Sequence, residues 1–375
     1  MSINRRKFLK VGSLSGLSLS LGALPSMACT NAPSSDKNKT SISDKKNLGV
    51  ALVGLGYYST DLLAPALQYT EHCHLAGIVT GTPSKVPEWQ TRFGIKDQNV
   101  YNYENMHTIA DNDEIDVVYI VVPTGLHAKY AKIAANAGKH VWCEKPMALN
   151  VEECQSIIDA CKKNDVYLSV GYRVQHEPNT RTIMGYAKDL PYGAIKEISA
   201  MAGYRGGGGT GWRFQKSLGG GALYDMGVYT INALRYGSGM EPVRVLSAKS
   251  STTRPEFFSE VDETTEYQLE FANGVIGYGK TSVGETMNQL KVTCENGWYE
   301  IAPMQSYHGV KGKTSDGKML EEYIPNQQAR QMDNDALAIM NKTDVLVPGI
   351  EGLKDIRIVN AIREAAATGK VVDIV

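Results

Sequence analysis

Residues 48–59 read LGVALVGLGYYS, and this stretch decides the fold of the first half of the chain. Leu48 to Val53 is a short apolar run, which predicts a buried strand. Gly54-Leu55-Gly56 follows directly, and from Ser59 to Tyr69 the apolar residues recur at helical spacing. A strand that enters such a turn and then a helix is typical of a dinucleotide site, because the glycines let the backbone approach a pyrophosphate at the helix N-terminus. Ser59 stands where the third glycine is usual.

The same alternation of strand and helix continues to about residue 170. Asp116 to Val122 is predicted to be a strand, and its continuous apolar run from Val117 onward indicates burial on both faces, as in a parallel sheet. The pattern predicts a doubly wound nucleotide-binding α/β domain, of Rossmann type, over residues 47–170. Further strands are expected at His74–Val79, His140–Cys143 and Tyr167–Tyr172, and helices at Lys85–Phe93, Gly125–Ala137 and Val151–Asn164.

From about Gly193 the strands become longer and their apolar residues alternate. Asn273-Gly274 and Asn296-Gly297 each separate two such strands, and this dipeptide predicts a hairpin. Residues 171–375 are therefore expected to form an α+β domain with a large, mostly antiparallel sheet, open on one face or covered by helices. Helices are expected at Leu223–Tyr236, Asn326–Met340 and Leu353–Thr368.

Composition excludes two classes of partner. The 375 residues carry 39 Lys plus Arg and 40 Asp plus Glu, so no charge excess attracts nucleic acid or an anionic membrane. The cysteines after Cys29 form no CxxC pair, which argues against a zinc site or a thioredoxin-like site. Cys154 and Cys161 lie seven residues apart on one predicted helix face, and we expect both in the core.

The N-terminus reads as an export signal. Arg5-Arg6 begins a twin-arginine pattern, an apolar stretch rich in Gly and Ser runs from Val11 to Leu24, and Ser26-Met27-Ala28 is a small-x-small cleavage site. The alternative, a membrane-spanning helix, is disfavoured because the stretch is short for a bilayer. Residues 1–28 are thus predicted to be a Tat-type signal, which would place the mature protein in the periplasm.

Residues 29–46 are predicted to be a linker, or an arm that orders against a partner subunit. Cys29 follows the cleavage point and would be the acylated residue of a lipoprotein, although Ser26 replaces the usual leucine three residues before it. Membrane attachment is expected only through the signal segment or this anchor.

The end of the second predicted strand bears on cofactor choice. A NAD site usually has Asp or Glu there, whereas Val79 is followed by Thr80-Gly81-Thr82. A neutral pocket does not repel a 2′-phosphate, and Lys85 is close enough in sequence to reach one. This favours NADP over NAD, with loss of nucleotide binding as the alternative. Further along, His127 is expected either beside the nicotinamide or simply in a first helical turn.

Glu144-Lys145-Pro146 ends the His140–Cys143 strand, at the sheet edge where such folds bind ligands. An ammonium there can hydrogen-bond a reacting oxygen and stabilise its negative charge. The Lys145–Pro146 bond is a candidate for the cis form.

Asp225 and Tyr229 are four residues apart after Gly219-Gly220-Gly221, so they share a helix face. Tyr229 is the candidate proton donor or acceptor, and Asp225 the group that orients substrate or phenol. A free tyrosine titrates near pH ~10, so this role needs a cationic neighbour such as Lys145. Without that neighbour, a core tyrosine and an aspartate at a helix N-terminus would be the simpler interpretation.

At these motifs the chain closely resembles the glucose–fructose oxidoreductase/inositol dehydrogenase/MocA family, from Leu48 to Val375. Tyr229, together with Gly171-Tyr172-Arg173 and Trp212-Arg213, resembles the glucose–fructose oxidoreductase branch. The resemblance implies twin-arginine export, tightly bound NADP, an N-terminal arm used in assembly, and a homodimer or homotetramer formed through the open sheet.

The resemblance also implies roles for individual residues. Lys145 and Tyr229 would be the catalytic pair, with Asp225 holding the sugar. Arg173, Trp212 and Arg213 would line the substrate pocket, and Thr80, Thr82, Ser84 and Lys85 would surround the adenosine ribose and its 2′-phosphate. The full set of expected cofactor contacts is Gly54, Gly56, Tyr57, Tyr58, Thr80, Thr82, Ser84, Lys85, Pro123, Thr124, His127, Glu144 and Lys145.

Two departures from the family pattern are Ser59 and the glycine-rich segment Gly206–Gly211, which alters the expected pocket rim and leaves glucose in question as the substrate. The sequence therefore predicts an exported NADP-dependent oxidoreductase acting on a sugar or polyol. Two alternatives stay open: a glycosidase of the same fold that uses bound NAD for transient oxidation, and a non-catalytic cofactor-binding lipoprotein.

Overall fold

The computed structural model describes residues 45–375, which belong to one compact unit. The twin-arginine segment, Cys29 and most of the predicted arm lie outside the described residues. Between residues 45 and 375 no helix has the length and apolar character needed to cross a membrane.

The first sheet has six strands in the order β3-β2-β1-β4-β5-β6, and every neighbouring pair is parallel. Strands β1 and β4 are buried along their whole length, as their unbroken apolar runs predict. The strands are β1 (Leu48–Val53), β2 (Cys73–Val79), β3 (Val100–Tyr101), β4 (Val117–Ile120), β5 (His140–Cys143) and β6 (Leu168–Val170). The connecting helices are α1 (Ala64–Ala66, after a π-helical turn at Tyr58–Leu63), α2 (Val86–Phe93), α3 (His127–Asn136) and α4 (Val151–Lys163).

The second sheet has nine strands in the order β14-β13-β12-β11-β7-β10-β9-β8-β15. All neighbours are antiparallel except β7 and β10. Its strands are β7 (Ile195–Gly203), β8 (Pro242–Ser251), β9 (Thr264–Phe271), β10 (Ile276–Ser282), β11 (Met287–Cys294), β12 (Gly297–Ile301), β13 (Gly312–Thr314), β14 (Met319–Leu320) and β15 (Val372–Asp373). The remaining helices are α5 (Pro178–Asp189), α6 (Val228–Ser238), α7 (Gln327–Asn341) and α8 (Gly349–Thr368).

Helices cover one face of the second sheet. Helix α6 is buried throughout and packs on β7, β10 and β11, while α8 packs on β8. On β9 buried residues alternate with more exposed ones, so the opposite face is open to solvent in the described part of the chain. Both predicted Asn-Gly hairpins are present, as the pairs β9–β10 and β11–β12. The predicted fold class is confirmed.

Helix α7 ties the C-terminal part of the chain to the first sheet. Its residues Ala329, Met332, Ala336 and Ile339 share one apolar cluster with Leu48, Trp89 and their neighbours. The predicted boundary after residue 170 coincides with the end of β6 and stays a prediction, because contacts such as these join both parts into one unit.

The five cysteines of the described part are buried and unpaired, in agreement with the core positions expected for Cys154 and Cys161. Burial raises the pKa of both thiols to about 12, which keeps them protonated and unreactive near neutral pH. No group of side chains between residues 45 and 375 has the composition of a metal site.

Candidate active site

A cleft of about 1030 Å³ lies at the carboxyl ends of the first sheet's strands, and residues of the second half close its other side. Most of the residues predicted from the sequence lie on its walls. These are Gly54, Gly56, Tyr57, Tyr58, Thr80, Thr82, Lys85, Pro123, Thr124, His127, Glu144, Lys145, Trp212, Arg213, Asp225 and Tyr229. Two predicted residues, Ser84 and Arg173, are not among the residues that line it.

The glycine turn after β1 is shaped to accept a ligand. Gly54 has φ +94°, and a Cβ there would lie 2.8 Å from the Val121 carbonyl oxygen, so only glycine fits. A Cβ on Gly56 would meet no protein atom within 4 Å. The protein's own packing therefore does not require glycine at 56, whereas a pyrophosphate drawn close to the backbone would. The hydroxyl of Ser59 donates to the Gly54 carbonyl oxygen at 2.6 Å and fixes the turn, which explains why serine suits this position.

The end of β2 presents hydroxyl groups rather than a carboxylate. Thr80 is buried, and its Oγ1 accepts from the Thr82 backbone N–H at 3.1 Å. Lys85 reaches back across the cleft, where its Nζ donates to the Leu55 carbonyl oxygen at 2.5 Å. One ammonium thus lies beside the glycine turn, in surroundings suited to a phosphate group.

The His127 side chain supports the wall of the cleft and does not project into the cleft. Its Nδ1 lies 2.8 Å from the Pro146 carbonyl oxygen and its Nε2 lies 2.7 Å from that of Val122. Burial lowers the pKa of His127, and the two carbonyl groups oppose that effect. The side chain is 1% exposed, so it ties the end of β4 to the turn that carries Lys145.

The Glu144 carboxylate lies beneath that turn. It accepts from the Tyr119 hydroxyl at 2.6 Å and from the Lys145 backbone N–H at 3.2 Å. Burial raises the pKa of Glu144, while Tyr119 and Lys145 oppose the rise. A Cβ on Gly171 would lie 2.6 Å from Glu144 Oε1, so the first residue of Gly171-Tyr172-Arg173 makes room for this carboxylate.

Lys145 and Tyr229 meet in the cleft although one follows a strand of the first sheet and the other lies in α6, which packs on the second sheet. The Lys145–Pro146 peptide bond is cis. The Lys145 ammonium lies 4.2 Å from the centroid of the Tyr229 ring and donates to the Asp225 carbonyl oxygen at 3.2 Å. Tyr229 is the second residue of α6, and α6 follows directly after the π-helical turn Leu223–Gly227 that carries Asp225. The predicted catalytic pair and Asp225 are therefore brought together in one place.

The Asp225 carboxylate is held by two side chains. Its Oδ2 accepts from Arg213 Nε at 2.9 Å and from the Tyr204 hydroxyl at 2.9 Å. Arg213 in turn stacks on Trp212, with its guanidinium carbon 4.5 Å from the ring centroid. Burial and the Asp225 charge both raise the pKa of Tyr204, so this phenol stays protonated and donates. Sequence reasoning identified Arg213 and missed Tyr204, which follows β7 directly.

Behind the Tyr229 ring, Arg173 is buried at 2% exposure. Its guanidinium carbon lies 4.5 Å from the centroid of the Tyr307 ring and 5.9 Å from that of Tyr229. The guanidinium donates to Gln327 Oε1 at 2.7 Å and to the Gln305 carbonyl oxygen. Arg173 was expected to line the substrate pocket, whereas here it backs the tyrosines that do. Tyr307 and its neighbours Gln305 and Ser306 were not predicted, since nothing in their local sequence marks them.

Comparison with known proteins agrees with this geometry. Residues 48–172 match the oxidoreductase family with an NAD-binding Rossmann fold, and residues 189–300 match the GFO/IDH/MocA C-terminal domain. The crystal structure of aldose-aldose oxidoreductase from Caulobacter crescentus, complexed with glycerol, is 36% identical with a TM-score of 0.83, and the match covers 87% of this chain and 99% of that one. The chain belongs to the GFO/IDH/MocA oxidoreductase family, as its motifs predicted.

Two further relatives show the breadth of the family. D-xylose 1-dehydrogenase [NADP(+)] of Haloarcula marismortui is 28% identical over 341 residues, which cover 85% of this chain and 91% of that protein. The structure of levoglucosan dehydrogenase in complex with NADH and levoglucosan is 23% identical, with a TM-score of 0.75 over 88% of this chain and 99% of that one. At that identity the second match shows the shared fold alone.

Proposed function

We propose that this protein is an exported, NADP-dependent oxidoreductase that acts on a CH–OH group of a sugar or polyol. The observation that carries the proposal is the meeting of Lys145 and Tyr229, with 4.2 Å between ammonium and ring centroid, in a cleft that also contains the glycine turn. An ammonium, a phenol and a carboxylate at the carboxyl edge of a dinucleotide-binding sheet are the groups that alcohol oxidation needs.

The lining of the cleft favours NADP over NAD. Thr80 and Thr82 present no negative charge to a 2′-phosphate, and the Lys85 ammonium lies on the same wall. The open space beside Gly56 fits the pyrophosphate. The D-xylose 1-dehydrogenase of Haloarcula marismortui carries NADP(+) in its name, which supports the same choice.

The side chains divide the chemistry between them. A bound nicotinamide supplies the acceptor or donor of the hydride that leaves or joins the substrate carbon. In the oxidation direction Tyr229 takes the hydroxyl proton, and in the reduction direction it returns that proton. Lys145 hydrogen-bonds the same oxygen and stabilises negative charge on it in the transition state. Asp225, held by Arg213 and Tyr204, accepts from a neighbouring hydroxyl of the substrate.

The sugar class rests on the relatives and on the polar character of the pocket. Aldose-aldose oxidoreductase and D-xylose 1-dehydrogenase are both named for sugar substrates. The substrate side of the cleft combines Trp212, Tyr204 and Tyr307 with Asn288 and Gln305. Aromatic faces beside amide and phenol groups suit a ring that has one apolar face and several hydroxyls.

We also propose a cellular location and an oligomeric state for the protein. The twin-arginine segment would export the folded protein to the periplasm, with or without a lipid at Cys29. Because free NADP is not expected there, the cofactor would stay bound and be reduced by one sugar and oxidised by another. The open face of the second sheet is the surface proposed to form a homodimer or homotetramer.

The test begins with protein purified without added nucleotide. Denaturing the protein is expected to release NADP in near-stoichiometric amount, which mass spectrometry detects. Turnover of a paired aldose and ketose is expected without added cofactor. Tyr229→Phe is the matched control, because it should keep the nucleotide and lose turnover. Protein that carries no nucleotide and binds none when NADP or NAD is added would refute the proposal.

A further inference from the structure

We propose that Arg173 is a positioning residue whose buried positive charge acts on the substrate only through Tyr229 and Tyr307. This deepens the proposed function above and rests on it, since it concerns the same site. Arg173 is a buried cation that forms no salt bridge with a carboxylate within residues 45–375.

Within residues 45–375 the only hydrogen-bond acceptors of the Arg173 guanidinium are Gln327 Oε1 and the Gln305 carbonyl oxygen. Its Nε is buried and has no partner. A neutral side chain would satisfy the two acceptors at lower cost, because burying an unpaired charge is strongly unfavourable. The charge itself therefore needs an explanation.

The groups that face this charge are phenols. The Arg173 guanidinium carbon lies 4.5 Å from the Tyr307 ring centroid and 5.9 Å from the Tyr229 ring centroid, and Tyr58 packs on Tyr307 with 6.1 Å between centroids. Burial lowers the pKa of Arg173, but its interactions with Tyr229, Tyr58 and Tyr307 outweigh burial and raise it. Burial raises the pKa of Tyr58 and of Tyr307, which keeps both phenols neutral.

Other charged groups near Tyr229 do not replace Arg173. Lys145 contacts the same ring, the Tyr172 phenol interacts with Tyr229, and the Glu144 carboxylate interacts with Arg173 itself. Glu144 is committed to the Tyr119 hydroxyl and the Lys145 backbone. Tyr229 therefore lies near two cations, one that reaches the substrate oxygen and one that does not. When Tyr229 takes a proton from substrate, the phenolate it starts from is stabilised by both.

Arg173 also fixes the cleft wall. Gln327, which accepts from Arg173, donates from Nε2 to the Ser306 carbonyl oxygen at 3.0 Å. Asn288 Oδ1 accepts from the backbone N–H groups of Met304 and Gln305. The segment that carries Tyr307 is thus bound on both sides of residue 305. Loss of the guanidinium would release one of these contacts and move Tyr307, and misplacement of about 1 Å can cost ~100-fold in rate.

The test compares Arg173→Gln with Arg173→Lys by the pH dependence of kcat/KM for sugar oxidation. Arg173→Gln is expected to move the low-pH limb of the profile to higher pH, since it removes one of two cations near the phenol. Arg173→Lys keeps the charge and is expected to leave the limb near its wild-type position while lowering kcat roughly ten-fold or more, because the planar fork is lost.

A second variant keeps the test decisive if Arg173→Gln does not fold. Gln327→Glu retains the guanidinium and places a carboxylate against it, so it is expected to move the limb in the same direction as Arg173→Gln. If the low-pH limb stays at its wild-type position in whichever of Arg173→Gln and Gln327→Glu folds, the proposal is overturned and Arg173 has only a structural role.

A measurement on nucleotide-free protein separates this inference from the proposed function. The ultraviolet absorbance of tyrosinate is titrated in wild type and in Tyr229→Phe, and the difference between the curves reports Tyr229. Arg173→Gln should move that difference curve to higher pH, whether or not any sugar is turned over. Absence of sugar oxidation in wild type would refute the proposed function, whereas an unmoved difference curve would refute the role of Arg173.

Discussion

The Lys145 ammonium lies over the face of the Tyr229 ring, 4.2 Å from its centroid, and its only hydrogen bond among the described residues goes to the Asp225 carbonyl oxygen, at 3.2 Å. This carbonyl belongs to the turn that leads into α6, so the amine is oriented by the same segment that carries the phenol. A cation near a ring face is attracted by about 0.5–1 kcal/mol or more. The contact thus holds the two reactive groups together before substrate arrives.

Lys145→Met is expected to lower kcat/KM for the sugar by about 100- to 1,000-fold, the usual cost of removing one donor to a developing oxyanion. Tyr229→Phe should lower it by a similar factor through loss of proton transfer. Because the two groups act on one oxygen, the double variant should be scarcely slower than the worse single variant. Steady-state kinetics of the three proteins check this.

Nucleotide content and thermal unfolding serve as controls for those kinetics, since all three variants should fold and bind the cofactor. Rate losses that multiply in the double variant would contradict a shared site of action.

Gly56→Ala is expected to weaken nucleotide binding by at least ~10-fold while the nucleotide-free protein keeps its stability. A Cβ at this position meets no protein atom within 4 Å, so the only clash is with a bound pyrophosphate. Titration calorimetry of nucleotide-stripped protein gives the affinity, and thermal unfolding gives the stability. Gly185→Ala on α5 is the matched control, because its Cβ is equally free and lies outside the cleft. Equal affinities for the two variants would place the phosphates elsewhere.

Lys85→Met should weaken the binding of NADP and leave the binding of NAD nearly unchanged. If the ammonium that now contacts the Leu55 carbonyl oxygen binds the 2′-phosphate, its removal lowers NADP affinity by about 10-fold or more and leaves NAD affinity nearly unchanged. Competition between the two nucleotides in one binding assay measures the ratio directly. Lys162→Met, an exposed change on α4, should alter neither affinity. An equal loss for both cofactors would assign Lys85 to the glycine turn alone.

The elements predicted from the sequence were those with a local signal. The run Leu48–Val53 and the dipeptides Asn273-Gly274 and Asn296-Gly297 each determine their own structure, because burial and turn geometry act over a few residues. Helix α5 was missed: its buried apolar side chains are few, and Thr180, Thr182 and Gly185 weaken its pattern. Strand β3 has only two residues, and it forms because β2 offers it a partner.

The residues of the candidate site also differ in whether a local sequence signal predicts them. Lys145 was found because a strand end places it at the ligand edge, and Tyr229 because its spacing from Asp225 is local. Tyr204 and Tyr307 reach the cleft only once the second sheet is assembled, from the end of β7 and from an irregular segment. The Gly171-Tyr172-Arg173 motif predicted that Arg173 lines the pocket. In the structure it lies behind the pocket wall because it packs on Tyr307, which no motif identifies.

Glu263 has a buried carboxylate that accepts from the Thr253 backbone N–H and from Arg254 Nε, both at 2.6 Å. Burial raises the pKa of this carboxyl, but the bonds from Thr253 and Arg254 outweigh burial and bring the pKa to about 2, against an ordinary value of 4.5. A pKa lowered by folding means stability that is fully present above the unfolded value and is lost as the pH falls towards the folded value.

Glu263→Gln is therefore expected to lower the free energy of unfolding by about 2–3 kcal/mol near neutral pH. The difference from wild type should shrink as the pH falls from about 4.5 to about 2, where the wild-type carboxylate is protonated too. Urea denaturation at several pH values measures it, with the exposed Glu256→Gln as the control from the same loop. A difference in unfolding free energy that stays constant over this pH range would mean that the charge of Glu263 contributes nothing to stability. Since Arg254 also donates to the Gly206 carbonyl oxygen at 2.7 Å, the variant should loosen the glycine-rich rim and raise KM for the sugar as well.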